Sequence, residues 1–118
     1  MSDALFEEIN RELRQFAIDR DWEQFQSPKN VATALIVEAA ELVEHFQWLT
    51  EEQSYQLDEE KLKAVSHEMA DVMIYLMRLS DRLNVDLLQA VQEKMKLNAE
   101  KYPADKVKGS AKKYTEYE

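Results

Sequence analysis

The chain has 118 residues with a formal net charge of −9, and 45% of its residues are hydrophobic, which is enough apolar material for one domain-sized core. One glycine, two prolines and no cysteine exclude a P-loop, a glycine-rich dinucleotide turn, a disulfide framework and cysteine-based metal sites. The acidic charge disfavours nucleic acid and anionic membranes as partners, and the scarcity of turn-forming residues favours an all-α fold.

Four long helices and a short fifth are predicted along the chain, and together they form a four-to-five-helix bundle. The apolar residues of each long segment recur at steps of three and four, which is the period of an amphipathic helix. The long helices are predicted over residues 3–19, 28–48, 59–83 and 87–101, with one short turn after Thr50 and an aromatic loop over residues 21–26.

Capping residues mark the limits of these helices. Ser27, Asp58 and Asp86 each precede a helical segment and are typical N-cap residues. Asn84 favours the left-handed conformation that ends a helix, and Pro103 stops the last one.

The chain is predicted to form one helical domain over residues 1–103, followed by a polar tail over residues 104–118 that is mobile or lies on a partner subunit. The N-terminal segment has neither a basic region nor an apolar core of the signal-peptide type, and no apolar run approaches 18 residues. A soluble, cytoplasmic protein is predicted.

The third long helix carries the most regular apolar pattern in the chain. Seven of its residues alternate steps of three and four, as in the seam of a coiled coil: Leu62, Val65, Met69, Val72, Leu76, Leu79 and Leu83. Met73, Ile74 and Met77 add apolar surface outside that seam, which is more than one packing partner needs. We therefore expect subunits to associate through helices as a homodimer or a homotetramer.

Acidic residues spaced three apart occur only three times, as Glu38/Glu41, Glu41/Glu44 and Glu68/Asp71, all within the two most apolar helices. Residues three apart share a helix face, so each pair directs two carboxylates the same way. Burying such groups without compensation is costly, and the oxygen-only ligand set suits a hard cation, Mg²⁺ or alternatively Mn²⁺.

Two other interpretations of these acids remain open at this point. Ferritin-like di-iron bundles place a histidine three residues after a glutamate, and the chain contains no such spacing. The acids are alternatively surface charges or salt-bridge partners of a helical protein without catalytic function.

The pattern Glu38-x-x-Glu41 followed by Glu68-x-x-Asp71 resembles the motif of the all-α nucleoside triphosphate pyrophosphohydrolases, the MazG-like superfamily, and within it most closely the dCTP pyrophosphatase branch. The resemblance extends over most of the chain from Arg20 onward. Its matching stretches are RDWEQFQSPKN (20–30), EHFQW (44–48), EMADVMIYL (68–76), KMKLNAEKYP (94–103) and KKYTE (112–116).

The resemblance implies hydrolysis of a deoxynucleoside triphosphate to the monophosphate and pyrophosphate, with dCTP and 5-substituted dCTP preferred, as a form of nucleotide-pool sanitation. It also implies a set of site residues. The metal ligands would be Glu38, Glu41, Glu68 and Asp71; Glu41 or Glu44 would activate water; Trp22 and Trp48 would stack on the base; Tyr75 would pack near the sugar; and Lys94, Asn98 and Lys101 would contact the nucleotide.

Two alternatives to this function are kept. An enzyme of the same fold with specificity for dUTP or for a broad set of nucleoside triphosphates would share every motif above. A non-catalytic helical oligomerisation module would share the helical pattern but would not bind a nucleotide.

Overall fold

The computed structural model describes residues 2–110. These residues form α1 (Ser2–Asp19), a short 3-10 helix (Glu23–Phe25), α2 (Pro28–Glu44), α3 (Glu51–Ser54), α4 (Glu59–Arg82), α5 (Leu87–Lys101) and α6 (Ala104–Val107). No strand occurs within residues 2–110, so the prediction of an all-α fold is confirmed. The short helix α6 was not predicted, and the tail stretch 112–116 lies outside the described residues.

The predicted N-caps are confirmed by side-chain hydrogen bonds. Ser27 Oγ accepts from the backbone N–H of Asn30 at 3.2 Å, with Pro28 at the first helical position. Asp58 and Asp86 cap α4 and α5 in the same way, and Thr50 forms a capping box at the start of α3. Each cap satisfies a backbone donor that has no partner within its helix.

The second helix ends at Glu44, so the prediction that it reaches Trp48 is wrong. Beyond Glu44 the chain tightens into hydrogen bonds between residues three apart, such as Phe46 N–H to Val43 O at 2.9 Å. The physical reason is the start of α3. Thr50 must be extended, with ψ at 164°, to act as the N-cap of α3, so the chain leaves the α2 helix before that residue.

Two Schellman motifs end α1 and α4, each with a non-glycine residue in the left-handed region. Asn84 has φ of 55°, as predicted, and Asp21 has φ of 54°, which the sequence analysis missed. After α1, the Trp22 N–H donates to Ala17 O at 2.9 Å. This motif turns the chain sharply at Asp21 and places Trp22 directly after the helix end.

Helix α4 packs chiefly on α2 and also on α1. Gln26, just before α2, accepts hydrogen bonds from Arg78 and Arg82 at the end of α4, whereas His45, just after α2, contacts Lys61 near the start of α4. The two helices therefore run antiparallel. This arrangement brings the part of α2 that carries Glu38 and Glu41 beside the middle of α4, which carries Glu68 and Asp71.

The buried face of α4 coincides with the predicted seam only in part. Val65 of the seam is buried, whereas Leu62, Met69 and Leu76 of the seam are exposed by 38% or more. Met77, predicted to lie outside the seam, is 1% exposed. Because α4 is apolar on two faces, its periodicity does not distinguish the face that meets α2 from the face that stays open.

The chain divides after Val85 into two compact units. The first contains α1 to α4, and the second contains α5 and α6. The expectation of one domain over residues 1–103 stays a prediction. Within residues 2–110, no helix combines the length and the apolar character needed to cross a lipid bilayer.

Candidate active site

Three of the four predicted metal ligands converge in the middle of the α2–α4 pair. Carboxylate oxygens of Glu38, Glu41 and Glu68 all lie within 4.8 Å of one another, and all three residues are half-buried. Glu38 and Glu41 are on one face of α2 because they are three residues apart, and Glu68 approaches from α4. The stripe of α2 that carries Glu38 also carries the buried Val31.

Within the part of the chain that the structure describes, these carboxylates have no cationic partner. Among residues 2–110, no lysine, arginine or histidine forms an ion pair with them. One oxygen of Glu38 and one of Glu68, Oε2 in each case, are buried without any hydrogen-bond partner. Buried carboxylate oxygens are normally paired, because leaving one unsatisfied costs free energy.

The electrostatic consequence is concentrated on Glu38. Burial raises its pKa from 4.5 to about 7, with further contributions from a hydrogen bond to Glu41 and from the negative charges of Glu41, Asp71 and Glu68. In the metal-free protein the Glu38 carboxyl therefore keeps its proton up to about neutral pH.

A measurable pH dependence follows from this shift. Because folded Glu38 keeps its proton up to about pH 7 and an unfolded glutamate loses it near 4.5, the folded state binds more protons between these values. The free energy of unfolding of the metal-free protein should therefore fall as pH rises through this window. Thermal denaturation in EDTA across the window measures this dependence.

The Glu38→Gln variant is the control for this prediction, because glutamine does not titrate. We expect it to lose most of the dependence and to be more stable than the parent above pH 7. A parent and a variant with equal slopes would show that Glu38 does not carry the shift.

The donor set fits a hard divalent cation. All the converging atoms are carboxylate oxygens, two of which lack partners, and this is the ligand chemistry that Mg²⁺ and Mn²⁺ prefer. Asp71 is on α4, three residues after Glu68, and its charge acts on Glu38, although it is not one of the three residues whose oxygens converge. The assignment of Asp71 as a fourth ligand stays a prediction.

A pocket of about 290 Å³ lies one helical turn from the carboxylates. Ala34 of α2 is four residues before Glu38, and Tyr75 of α4 is four residues after Asp71, so each helix contributes to both features. Aromatic rings and two amides complete the lining: Trp22, Phe25, Gln26 and Asn30. The pocket is thus mainly apolar and aromatic, with a few polar groups.

The segment that forms the outer wall of this pocket is held by two arginines of α4. Arg82 Nε donates to the backbone oxygen of Gln26 at 2.9 Å, and Arg78 donates twice to the side-chain oxygen of Gln26. Asp81 binds Arg78 at 3.0 Å and Arg14 of α1 at 2.6 Å. Hydrogen bonding and charge from these arginines, Arg14 first, lower the pKa of Asp81.

The remaining predicted site residues are distributed over both units. Glu44 is exposed at the end of α2, one turn beyond Glu41, and is not part of the converging cluster. Trp22 lines the pocket, where it stands edge-on to Phe16 at 5.7 Å. Trp48 is 87% exposed and does not line the pocket. Lys94, Asn98 and Lys101 lie exposed on α5 in the second unit.

Sequence reasoning missed Asn30 of the pocket and Arg78, the arginine that holds Gln26. Gln26 and Asn30 lie where no periodicity marks them. Arg78 carried a signal that was not used: it is a lone arginine within an apolar helix, three residues before an aspartate. A buried arginine needs such a partner, so Arg78 with Asp81 predicts an internal ion pair.

Comparison with known proteins places this geometry in context. Residues 33–117 match the model of the MazG-like family. The chain is 45% identical over 112 residues to dCTP pyrophosphatase 1 of Mus musculus and 43% identical over 112 residues to that of Homo sapiens, covering 93% of this chain and 66% of each relative. It thus spans slightly less than two thirds of the length of these relatives.

A solved structure shares the fold. The crystal structure of a pyrophosphatase from Archaeoglobus fulgidus DSM 4304 superposes with a TM-score of 0.78 at 39% sequence identity. The alignment covers 82% of this chain and 91% of the archaeal chain.

Proposed function

The chain belongs to the MazG-like family, and from that premise we propose that it is a Mg²⁺-dependent nucleoside triphosphate pyrophosphohydrolase. Its preferred substrates would be dCTP and 5-substituted dCTP, in line with the names of its mammalian relatives. The observation that carries the proposal is the convergence of Glu38, Glu41 and Glu68 beside an aromatic pocket.

In the proposed reaction, water attacks a phosphoryl group so that dCTP and water yield dCMP and pyrophosphate. Glu38, Glu41 and Glu68, with Asp71, would hold the cation; when bound, Mg²⁺ neutralises phosphate charge and lowers the pKa of water. Glu41 or Glu44 accepts the proton of the attacking water. The proton that Glu38 keeps in the metal-free protein must leave before Glu38 can act as an anionic ligand.

The pocket supports the assignment of the base end of the substrate. Trp22 offers an aromatic face to a pyrimidine, and base stacking of this kind contributes about 1–3 kcal/mol. Tyr75, which lines the pocket one turn from Asp71, would pack near the sugar. Lys94, Asn98 and Lys101 are proposed to contact the nucleotide from α5.

Self-association is part of the proposal, as a homodimer or a homotetramer. The open face of α4 carries Leu62, Met69, Met73 and Leu76, each exposed by 38% or more. Apolar surface concentrated on one helix face is typical of an interface between subunits. Trp48, exposed on its own chain, would complete the site of a neighbouring subunit.

A substrate panel tests the proposed reaction. Pyrophosphate release is measured from dCTP, 5-methyl-dCTP, dUTP, dTTP and CTP, with Mg²⁺, with Mn²⁺ and in EDTA. We expect release from dCTP and 5-methyl-dCTP that EDTA abolishes and Mg²⁺ restores. Preferred release from dUTP would show dUTP specificity in place of the cytosine preference, and equal release from all substrates would show a broad specificity. No release from any substrate would refute the proposed reaction.

A further inference from the structure

The side-chain amide of Gln26 has only one possible orientation. Arg78 Nε and Nη2 donate to its Oε1 at 3.1 and 3.0 Å. A guanidinium carries donors and no acceptor, so the atom that faces it must be the amide oxygen. The NH₂ group of Gln26 is therefore the end of the amide that is available to a ligand in the pocket that Gln26 lines.

Asn30 is oriented in the opposite sense by the same kind of argument. Its Nδ2 donates to the backbone oxygen of Phe25 at 3.0 Å, and a carbonyl oxygen only accepts. The side-chain oxygen of Asn30 is thus the free end. Within residues 2–110, neither this oxygen nor Gln26 Nε2 has a hydrogen-bond partner, so the two amides contribute one unused acceptor and one unused donor to the pocket wall.

The orientation of Gln26 is held from inside the protein. Arg78 is 3% exposed, its third donor group binds Asp81 at 3.0 Å, and Glu23 lies 3.9 Å from it. Asp81 is in turn bound by Arg14. A buried guanidinium whose donors are engaged on both sides cannot turn away, so it constrains the amide that it contacts.

We propose that Arg78 is a positioning residue for base selection: it fixes Gln26 as a hydrogen-bond donor to ring N3 of a cytosine, while Asn30 accepts from the 4-amino group. This inference rests on the proposed function for its choice of base. Cytosine presents an acceptor at N3 next to a donor at position 4. Uracil and thymine, entering in the same pose, present these two groups reversed, so that donor faces donor and acceptor faces acceptor.

The Gln26→Glu variant tests the donor directly. A carboxylate keeps the contact with Arg78 and removes the N–H donor that Gln26 offers to N3. We expect calorimetry with α,β-imido dCTP and Mg²⁺ to show binding weakened by about 10- to 100-fold, the range for loss of a specific base contact. Binding of α,β-imido dUTP should not weaken, because its N3–H can donate to the carboxylate.

Two further variants separate positioning from structure. Gln56→Glu makes the same charge change at an exposed residue outside the pocket and should leave both affinities unchanged. Arg78→Lys keeps the charge beside Asp81 but loses the paired donors that orient the amide. We expect it to raise KM for dCTP and reduce the preference over dUTP while kcat is retained, whereas a purely structural defect lowers kcat together with thermal stability.

The outcomes distinguish this inference from the proposed reaction. A parent protein that binds the dCTP analogue but releases no pyrophosphate would refute the reaction and leave base selection standing. Unchanged dCTP-analogue binding in Gln26→Glu, equal weakening for both analogues, or a parent that binds neither would overturn the inference.

Discussion

We expect Glu68→Gln to lower kcat/KM for dCTP by at least about 100-fold, since loss of groups that only support metal ligands already costs 10- to 100-fold. Glu68 reaches the cluster from α4, whereas Glu38 and Glu41 come from α2, so its removal takes away the contribution of one helix. Glu41→Gln and Asp71→Asn should have effects in the same direction. Steady-state pyrophosphate release over a range of Mg²⁺ concentrations measures the loss.

Glu12→Gln is the matched control for these variants. It makes the same isosteric, charge-neutralising change at an exposed residue of α1, outside the cluster, and should retain activity. Glu68→Gln should not lose thermal stability when metal-free, because one of several mutually repelling carboxylates becomes neutral. Full activity in Glu68→Gln would show that the convergence of the three glutamates is not the metal site.

We expect Trp22→Ala to raise KM for dCTP by about 10- to 100-fold, which corresponds to the loss of one stacking face. Trp22→Phe keeps an aromatic face and should recover most of that loss. Because Trp22 also packs edge-on against Phe16, thermal denaturation of both variants is needed alongside the kinetics. Equal KM values for the parent and Trp22→Ala would show that the base does not bind in this pocket.

Trp48→Ala provides a contrasting measurement. Trp48 is 87% exposed on its own chain, so it affects KM only if another subunit brings it to a pocket. We expect a raised KM together with a light-scattering mass of two or four chains for the parent. A monomeric parent, or an unchanged KM, would contradict the role proposed for Trp48.

The raised pKa of Glu38 shows that bringing these carboxylates together in a partly buried place costs free energy. The crowding of negative charge around Glu38 costs free energy in the absence of a cation, and a bound divalent ion would remove that cost. Stability would thereby be exchanged for the proposed cation site, which is a common trade-off at functional sites.

Local chemistry in the sequence was sufficient to locate most helices and the acidic pairs. A cap such as Ser27 or Asp58 acts through hydrogen bonds within one turn, so it can be recognised without tertiary contacts. The spacing of Glu38 with Glu41, and of Glu68 with Asp71, likewise places each pair on one helix face whatever the helix packs against. These inferences depend only on residues close in the chain.

Only the tertiary structure determined which face of α4 is buried and what the pocket contains. Met77 is enclosed while Leu76 stays open, because the choice depends on the partner that α4 meets and not on its own periodicity. The contact between Gln26 and Arg78 joins residues 52 positions apart, and it orients an amide whose two ends the sequence does not distinguish. Such long-range contacts have no local signal, since the free energy that selects them arises only when the helices pack together.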